Sequence, residues 1–364
     1  MKPLRVATIV GTRPEVIRLS RVISRLRQDC DHTLIHTGQN YDHNLNGVFF
    51  ADLDLASPNV QLNAARRTAT HTIAAVLEGV DKVLREVEPD AVLVLGDTNS
   101  GLALLAAKRL GISTFHMEAG NRCFDDRVPE EINRRVIDHI ADINLPYSQI
   151  AREHLIQEGL PSHRIIVTGS PMREVLSYYE DRFAASSILE RLGLSEHSFY
   201  VASLHREENV DNPHRLKGFV EMFNLLSRNH GLPVIVSTHP RTRSRLGKLN
   251  VKIHEGVRLH EPLSFTDYVR LQMGSKCVLS DSGTISEEAS ILGFRALNLR
   301  DSHERPEAME EAAVMMVGSS PERVFQALNL HATDERNTIV VRTPSSYQVS
   351  SVSQKIVRIL HSYS

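Results

Sequence analysis

The chain has 364 residues, longer than one hydrophobic core usually grows, so two domains are the natural expectation. Apolar residues make up 41% and charged residues 24%, a globular composition that argues against disorder. A net charge of −2 leaves no basic excess for a nucleic-acid backbone, so no nucleic-acid partner is expected, although local basic clusters can still hold small phosphates.

At the amino terminus only Val6-Ala7-Thr8-Ile9-Val10 precedes a Gly-Thr-Arg turn. That is too short for a signal-peptide core and far below the roughly 20 residues of a membrane span, so a cytoplasmic protein with no membrane partner is expected. The three cysteines, Cys30, Cys123 and Cys277, are widely spaced and odd in number, which fits a reducing compartment and gives no disulfide framework or Cys-x-x-Cys metal site.

Short apolar runs then recur at 5–10, 32–36, 91–95, 112–115, 143–145, 199–204, 233–237, 276–279 and 295–299, each ending in small or polar residues. Segments with helical spacing separate them. In the first, Val16, Leu19, Val22, Ile23 and Leu26 repeat at three and four residues, with Arg18, Arg21 and Arg25 on the other side. Strand then helix, repeated, predicts an α/β fold of parallel sheets covered on both faces. The pattern pauses near Gly169-Ser170-Pro171 and resumes at Phe199, which places the boundary between a domain of residues 1–170 and one of 171–350. After the Ser-rich stretch 345–353, Val352, Ile356, Ile359, Leu360 and Tyr363 share one helical face; this last helix, 351–364, is expected to return to the first domain.

Ligands of open α/β sheets lie at the carboxyl ends of the strands, which directs attention to the first polar residues after each run. The first run ends in Gly11-Thr12-Arg13-Pro14-Glu15. This is not a dinucleotide fingerprint, which argues against a nicotinamide cofactor. It combines a tight turn, a cation and a helix start with Pro14 near its first position, an arrangement that suits an anion; the alternative is a capped helix with a surface arginine. Ser282-Gly283-Thr284 opens a helix carrying Glu287 and Glu288, so that a phosphate can lie on the helix start while a carboxylate grips a ribose diol. A structural capping box, Thr284 with Glu287, explains the same residues. Asp97, Glu118 and the pair Glu130-Glu131 are carboxylates for which phosphate binding has no use. If Asp97 and Glu118 share a cleft, burial and repulsion make one of them an acid or base; ordinary ion pairs with Arg122, Arg127, Arg134 and Arg135 are the competing explanation. Eighteen histidines show no metal-ligand spacing, Asp52-Leu53-Asp54 is too short a pattern to carry a metal, and no Gly-x-Ser-x-Gly elbow occurs.

The ordered set Gly11-Thr12-Arg13-Pro14-Glu15, Thr37-Gly38-Gln39, Gly96-Asp97-Thr98, Glu118-Ala119-Gly120, Pro129-Glu130-Glu131 to Asn133-Arg134, His205-Arg206, Ser282-Gly283 and Glu304-Arg305-Pro306-Glu307 resembles the non-hydrolysing UDP-N-acetylglucosamine 2-epimerase family, from residue 4 to the end. The resemblance implies a glycosyltransferase-B-like fold, two Rossmann-like domains facing a central cleft, in a homodimer without cofactor or metal. It also implies chemistry on a UDP-sugar by elimination of UDP and re-addition. Asp97, Glu118, Glu130 and His205 match the family's catalytic groups. Arg13, Arg18, Gln39, Arg134, His239, Ser282, Gly283, Thr284, Glu288 and Arg305 match positions that hold the UDP-sugar. Within the family, the strings from His116 to Pro129, His205 to Asp211 and Ser302 to Arg305 resemble members that convert UDP-2-acetamido-2,6-dideoxy-L-talose to UDP-N-acetyl-L-fucosamine for surface polysaccharide. Three departures stand out: Arg18 where many members have lysine, Glu207 where they have a second arginine after the histidine, and Ala64-Ala65-Arg66-Arg67 where bacterial members carry Pro-Gly-Gln of an activating second substrate site. That activation is therefore not carried over.

Overall fold

A computed structural model describes residues 2–39, 49–238, 240–249, 251–333 and 343–364. The chain divides into two compact units, Met1–Ser177 with Ser345–Ser364, and Tyr178–Pro344.

In the first unit, strands β1 (Arg5–Val10), β2 (Asp31–His36), β3 (Val60–Gln61), β4 (Ala91–Leu95), β5 (Ser113–Met117) and β6 (Ile143–Leu145) form one parallel sheet in the order β3-β2-β1-β4-β5-β6. In the second, β7 (Tyr200–Leu204), β8 (Val234–Thr238), β9 (Val257–His260), β10 (Cys277–Ser280), β11 (Ala296–Asn298) and β12 (Met315–Met316) run β12-β11-β10-β7-β8-β9, again all parallel. Numbered within its own unit, each sheet has the doubly wound order 3-2-1-4-5-6. The direction of winding reverses between β1 and β4 and between β7 and β10, and the crevice at that switch is where such sheets take ligands.

The apolar runs become the central strands because helices cover both faces. Every residue of β4 is buried, for example. β3, β9 and β12, which no apolar run announces, are all sheet edges, short and only partly buried.

Helix Arg13–Asp29 starts from Thr12 in extended conformation with proline in its first turn, and Val16, Leu19, Val22, Ile23 and Leu26 are all buried. The closing helix, Val352–Tyr363, packs on it within the first unit. Val352, Ile356 and Leu360 are fully buried, each contributing about 1.5–3 kcal/mol by leaving water, whereas Tyr363 stays half exposed. Glu174 ties this helix down: its carboxylate accepts the Ser353 main-chain N–H at 2.8 Å and the Ser353 hydroxyl. Helix Met172–Tyr178, which carries Glu174, thus joins the first unit almost to its end, and the divide lies beyond Gly169-Ser170-Pro171. Among the described residues no helix is long and apolar enough to cross a membrane.

Candidate active site

At the first switch point the loops after β1 and β4 are joined by Glu15, in the first turn of helix Arg13–Asp29. One carboxylate oxygen accepts from Gly11 N–H (3.0 Å), Thr12 N–H (2.6 Å) and the Thr12 hydroxyl (2.7 Å); the other accepts from the Thr98 hydroxyl (2.9 Å). Burial raises the Glu15 carboxyl above its ordinary value, and these donors only partly offset the rise. Gly11 is fixed by space. A Cβ there would lie 2.0 Å from Ser100 Oγ, 2.4 Å from Thr37 Oγ1 and 3.1 Å from Gln39 Cδ. Arg13 lies with its guanidinium 4.7 Å from the centre of the Phe49 ring, so the cation expected to serve a phosphate is steadied by an aromatic face.

Asp97 and Glu118 follow β4 and β5, neighbouring strands, at their carboxyl ends. Each has its own guanidinium: Asp97 pairs with Arg134, and Glu118 with Arg18. Both acids make ion pairs, and Glu118 takes a partner outside the four arginines considered in the sequence. Arg18, on the side of the helix away from its apolar stripe, is only 12% exposed at its side chain. Glu118 adopts φ 65°, a conformation L-residues rarely accept, while its N–H bonds Leu145 O at 3.1 Å. Such strain persists where neighbours over-determine it, commonly at functional positions. Its carboxylate also accepts from the Asn121 amide at 3.4 Å.

Helix Pro129–Ile140 supplies the rest. Glu130 is half-buried in its first turn. Glu131 is fully buried and serves structure instead, accepting the N–H groups of Cys123 (3.1 Å) and Phe124 (3.3 Å) and pairing with Arg134. Burial alone raises its carboxyl, but the Cys123 N–H and the Arg134 charge outweigh this and hold it below the ordinary value. Arg134, expected to touch substrate, is buried with its guanidinium on both Glu131 and Asp97, while Asn133 donates to Asp97 O at 3.0 Å.

At the second switch point Asp281, one residue past β10, is wholly buried. It accepts the N–H groups of His205 (3.1 Å) and Arg206 (3.1 Å), the Asn209 amide (3.0 Å) and His205 Nδ1–H (2.9 Å). Burial works to raise its carboxyl, yet His205, Asn209 and the Arg206 N–H hold it at about 2. His205 is 45% exposed, so with Nδ1 on Asp281 its Nε2 edge is left to a ligand. Ser282 Oγ accepts Thr284 N–H at 3.3 Å, and the Thr284 hydroxyl donates to Glu288 at 2.8 Å. The capping-box alternative is overturned. Thr284 has helical dihedrals and makes no side-chain cap, and Glu287 pairs with Arg305 at 3.1 Å. The Gln272 amide steadies Glu288 from the other side at 2.9 Å. Glu304, after β11, pairs with Arg206 (3.1 Å) and Arg300 (2.6 Å) and presses on Gly283, where a Cβ would meet its Oε1 at 2.9 Å. His239 lies outside the described residues.

Glu15, Glu131, Arg300 and Asp281 organise the candidate residues around them. Glu15, Asp281 and Arg300 stand at the ends of apolar runs and Glu131 in the Glu130-Glu131 pair, so each position carried a signal in the sequence, whereas the partner each one holds did not.

Two doubly wound sheets, one ending in paired acids and the other in a buried-carboxylate–histidine pair beside a Ser-Gly-Thr helix start, define a two-domain α/β enzyme of glycosyltransferase-B-like architecture. A family model described as UDP-N-acetylglucosamine 2-epimerase matches residues 24–361, and the chain belongs to that family. The Methanocaldococcus jannaschii UDP-N-acetylglucosamine 2-epimerase is 34% identical over 367 residues, covering 98% of this chain and 99% of its own. Its crystal structure with UDP-GlcNAc and UDP matches at TM-score 0.91 and 33% identity over 99% of this chain and 100% of that one. A UDP-N-acetylglucosamine 2-epimerase structure from Rickettsia bellii matches at TM-score 0.92 and 45% identity, covering 99% and 97% of the two chains. The UDP-2,3-diacetamido-2,3-dideoxy-D-glucuronate 2-epimerase of Pseudomonas aeruginosa is 34% identical over 330 residues, 89% of this chain and 91% of its own. The protein is an isomerase of the UDP-sugar 2-epimerase type.

Proposed function

We propose that the protein inverts C2 of a UDP-2-acetamido sugar by anti elimination and re-addition. The C2 proton is removed as the C1–oxygen bond breaks and UDP departs, leaving a bound 2-acetamidoglycal. UDP returns to C1 and a proton to the opposite face of C2. Removing and returning a proton on different faces calls for two acid/base groups, each typically worth about 10²–10⁴-fold. Asp97, Glu118 and Glu130 take these roles.

The observation that carries this reading is the pair of acids at the ends of adjacent strands, Asp97 on Arg134 and Glu118 on Arg18. A site that merely held a diphosphate would have no use for them. Departing UDP gains charge, and donors fixed where that charge develops lower the barrier; Arg13, Arg18 and the Nε2 edge of His205 serve here. Ser282, Gly283 and Thr284 hold phosphate, Glu288 the ribose diol, and Arg305, Gln39 and His239 complete the substrate contacts.

For the sugar, the strings from His116 to Pro129 and His205 to Asp211 favour UDP-2-acetamido-2,6-dideoxy-L-talose, with UDP-N-acetyl-L-fucosamine as product. UDP-N-acetylglucosamine is the second reading, favoured by the names of the Rickettsia and Methanocaldococcus relatives. Proton NMR of purified enzyme with each UDP-sugar decides between them. The first reading expects inversion at C2 of the talo sugar with the gluco sugar unchanged, and the reverse result installs the second. Release of free sugar and UDP in place of an epimer would defeat both.

A further inference from the structure

Behind Asp97 and Glu118 lies a buried network that the mechanism above does not use. His116, on β5, is fully buried; its Nδ1 lies 2.8 Å from Asp138 Oδ1 and its Nε2 2.8 Å from the Gly96 carbonyl oxygen. Gly96 immediately precedes Asp97, and a Cβ on it would sit 3.5 Å from Glu118 Oε2. The clamped carbonyl therefore belongs to the turn that leads into Asp97 and lies beside Glu118.

Both ring nitrogens face oxygen. A carbonyl only accepts, so Nε2 carries hydrogen. A neutral ring would then turn a bare Nδ1 lone pair on Asp138, tolerable only if Asp138 kept a proton of its own. The donors around Asp138 leave that proton no place: Gly120 N–H reaches its oxygens at 3.2 and 3.3 Å, and Arg122 Nη1 donates to Oδ2 at 2.7 Å. The arrangement also balances charge. Arg122 is gripped in turn by Glu158 at 2.7 and 2.6 Å, so an imidazolium gives two cations against two anions in a region where an unmatched charge is costly. Charged groups near the ring are thus Asp138 from helix Pro129–Ile140, Arg122 and Glu158 behind it, and Glu118 two residues along the chain.

We propose that His116 is held as an imidazolium and acts as a positioning residue, fixing the Gly96 carbonyl and placing a buried positive charge behind the turn that leads into Asp97 and beside the strand end that carries Glu118. Its charge state stands on the hydrogen bonds; its effect on turnover rests on the function proposed for the two acids. The ring's charge is tested by ¹⁵N NMR of histidine-labelled protein, with His116 assigned by the cross-peaks lost in His116→Gln or, should that variant not fold, those displaced in Asp138→Asn. Both His116 nitrogens are expected in the protonated range near pH 7. A neutral His116 ring near pH 7 overturns the proposal.

The kinetic arm follows C2 proton exchange in both variants. Displacing a catalytic group by about 1 Å costs about 100-fold, and a loss of that order in kcat is expected. KM is expected to stay within about threefold of wild type, because a positioning group acts on the transition state. In His116→Gln, loss of the positive charge raises the pKa of neighbouring carboxylates, so the acidic limb of that variant's kcat profile should move to higher pH. Unchanged kcat and an unmoved limb overturn the positioning role. Absence of C2 exchange in wild-type enzyme would instead overturn the functional reading, while the spectrum still decides the charge.

Discussion

Replacing Asp281 by asparagine removes a wholly buried carboxylate that accepts from two main-chain N–H groups, an amide and His205 Nδ1. Its carboxyl is held at about 2 against an ordinary 3.8, which corresponds to about 2 kcal/mol of stability from ionisation alone. Because the folded-state value is the lower one, this contribution is complete above about pH 4 and lost as pH falls through about 2. Asparagine keeps one accepting oxygen but turns an NH₂ toward donors, so the total loss near pH 7 should be about 2–4 kcal/mol. Urea unfolding of the second unit, followed by circular dichroism, should show a midpoint lowered by about 1–2 M at neutral pH, with the gap narrowing towards pH 2. The same change frees the His205 ring from its fixed orientation, and kcat should fall by about 10²–10⁴-fold. Equal destabilisation at pH 7 and at pH 2, or an unchanged kcat, would refute the claim that a buried anion sets the histidine.

Arg18→Met leaves Glu118 buried without its guanidinium; kcat should fall about 100-fold and the acidic limb of its pH profile should rise, checked by steady-state C2 exchange. Gly283→Ala puts a methyl 2.9 Å from Glu304 Oε1 and 3.4 Å from Arg206 Nη2, so UDP affinity by calorimetry should drop about tenfold, equivalent to about 1.4 kcal/mol. Glu174→Ala unlatches Ser353 and should destabilise the docked closing helix by about 1–3 kcal/mol, read as faster amide exchange in residues 352–363 with little effect on kcat.

The central strands were legible because parallel strands buried on both faces must be continuous apolar runs, as Ala91 to Leu95 is. Edge strands obey no such rule, which is why Val257–His260 passed unnoticed. The candidate site was legible wherever a proposed residue follows a strand directly or nearly so, as Asp97, Glu118, His205 and Ser282 do. Partners brought in from distant segments were not. Nothing local says that Arg18 turns inward to Glu118, since its helical position reads equally well as solvent-facing, nor that the Thr284 hydroxyl serves Glu288 and not a helix cap. Pairing across the fold, the part that sets electrostatics, needs coordinates.

Incubating the purified protein with candidate UDP-2-acetamido sugars in deuterated water, without any acceptor, tests the central claim most directly. Inversion at C2 by elimination and re-addition predicts deuterium at C2 of the UDP-sugar, no net release of UDP, and loss of both label and epimer in Asp97→Asn while UDP still binds. Absence of C2 deuterium from the gluco, talo and fuco sugars alike would contradict it.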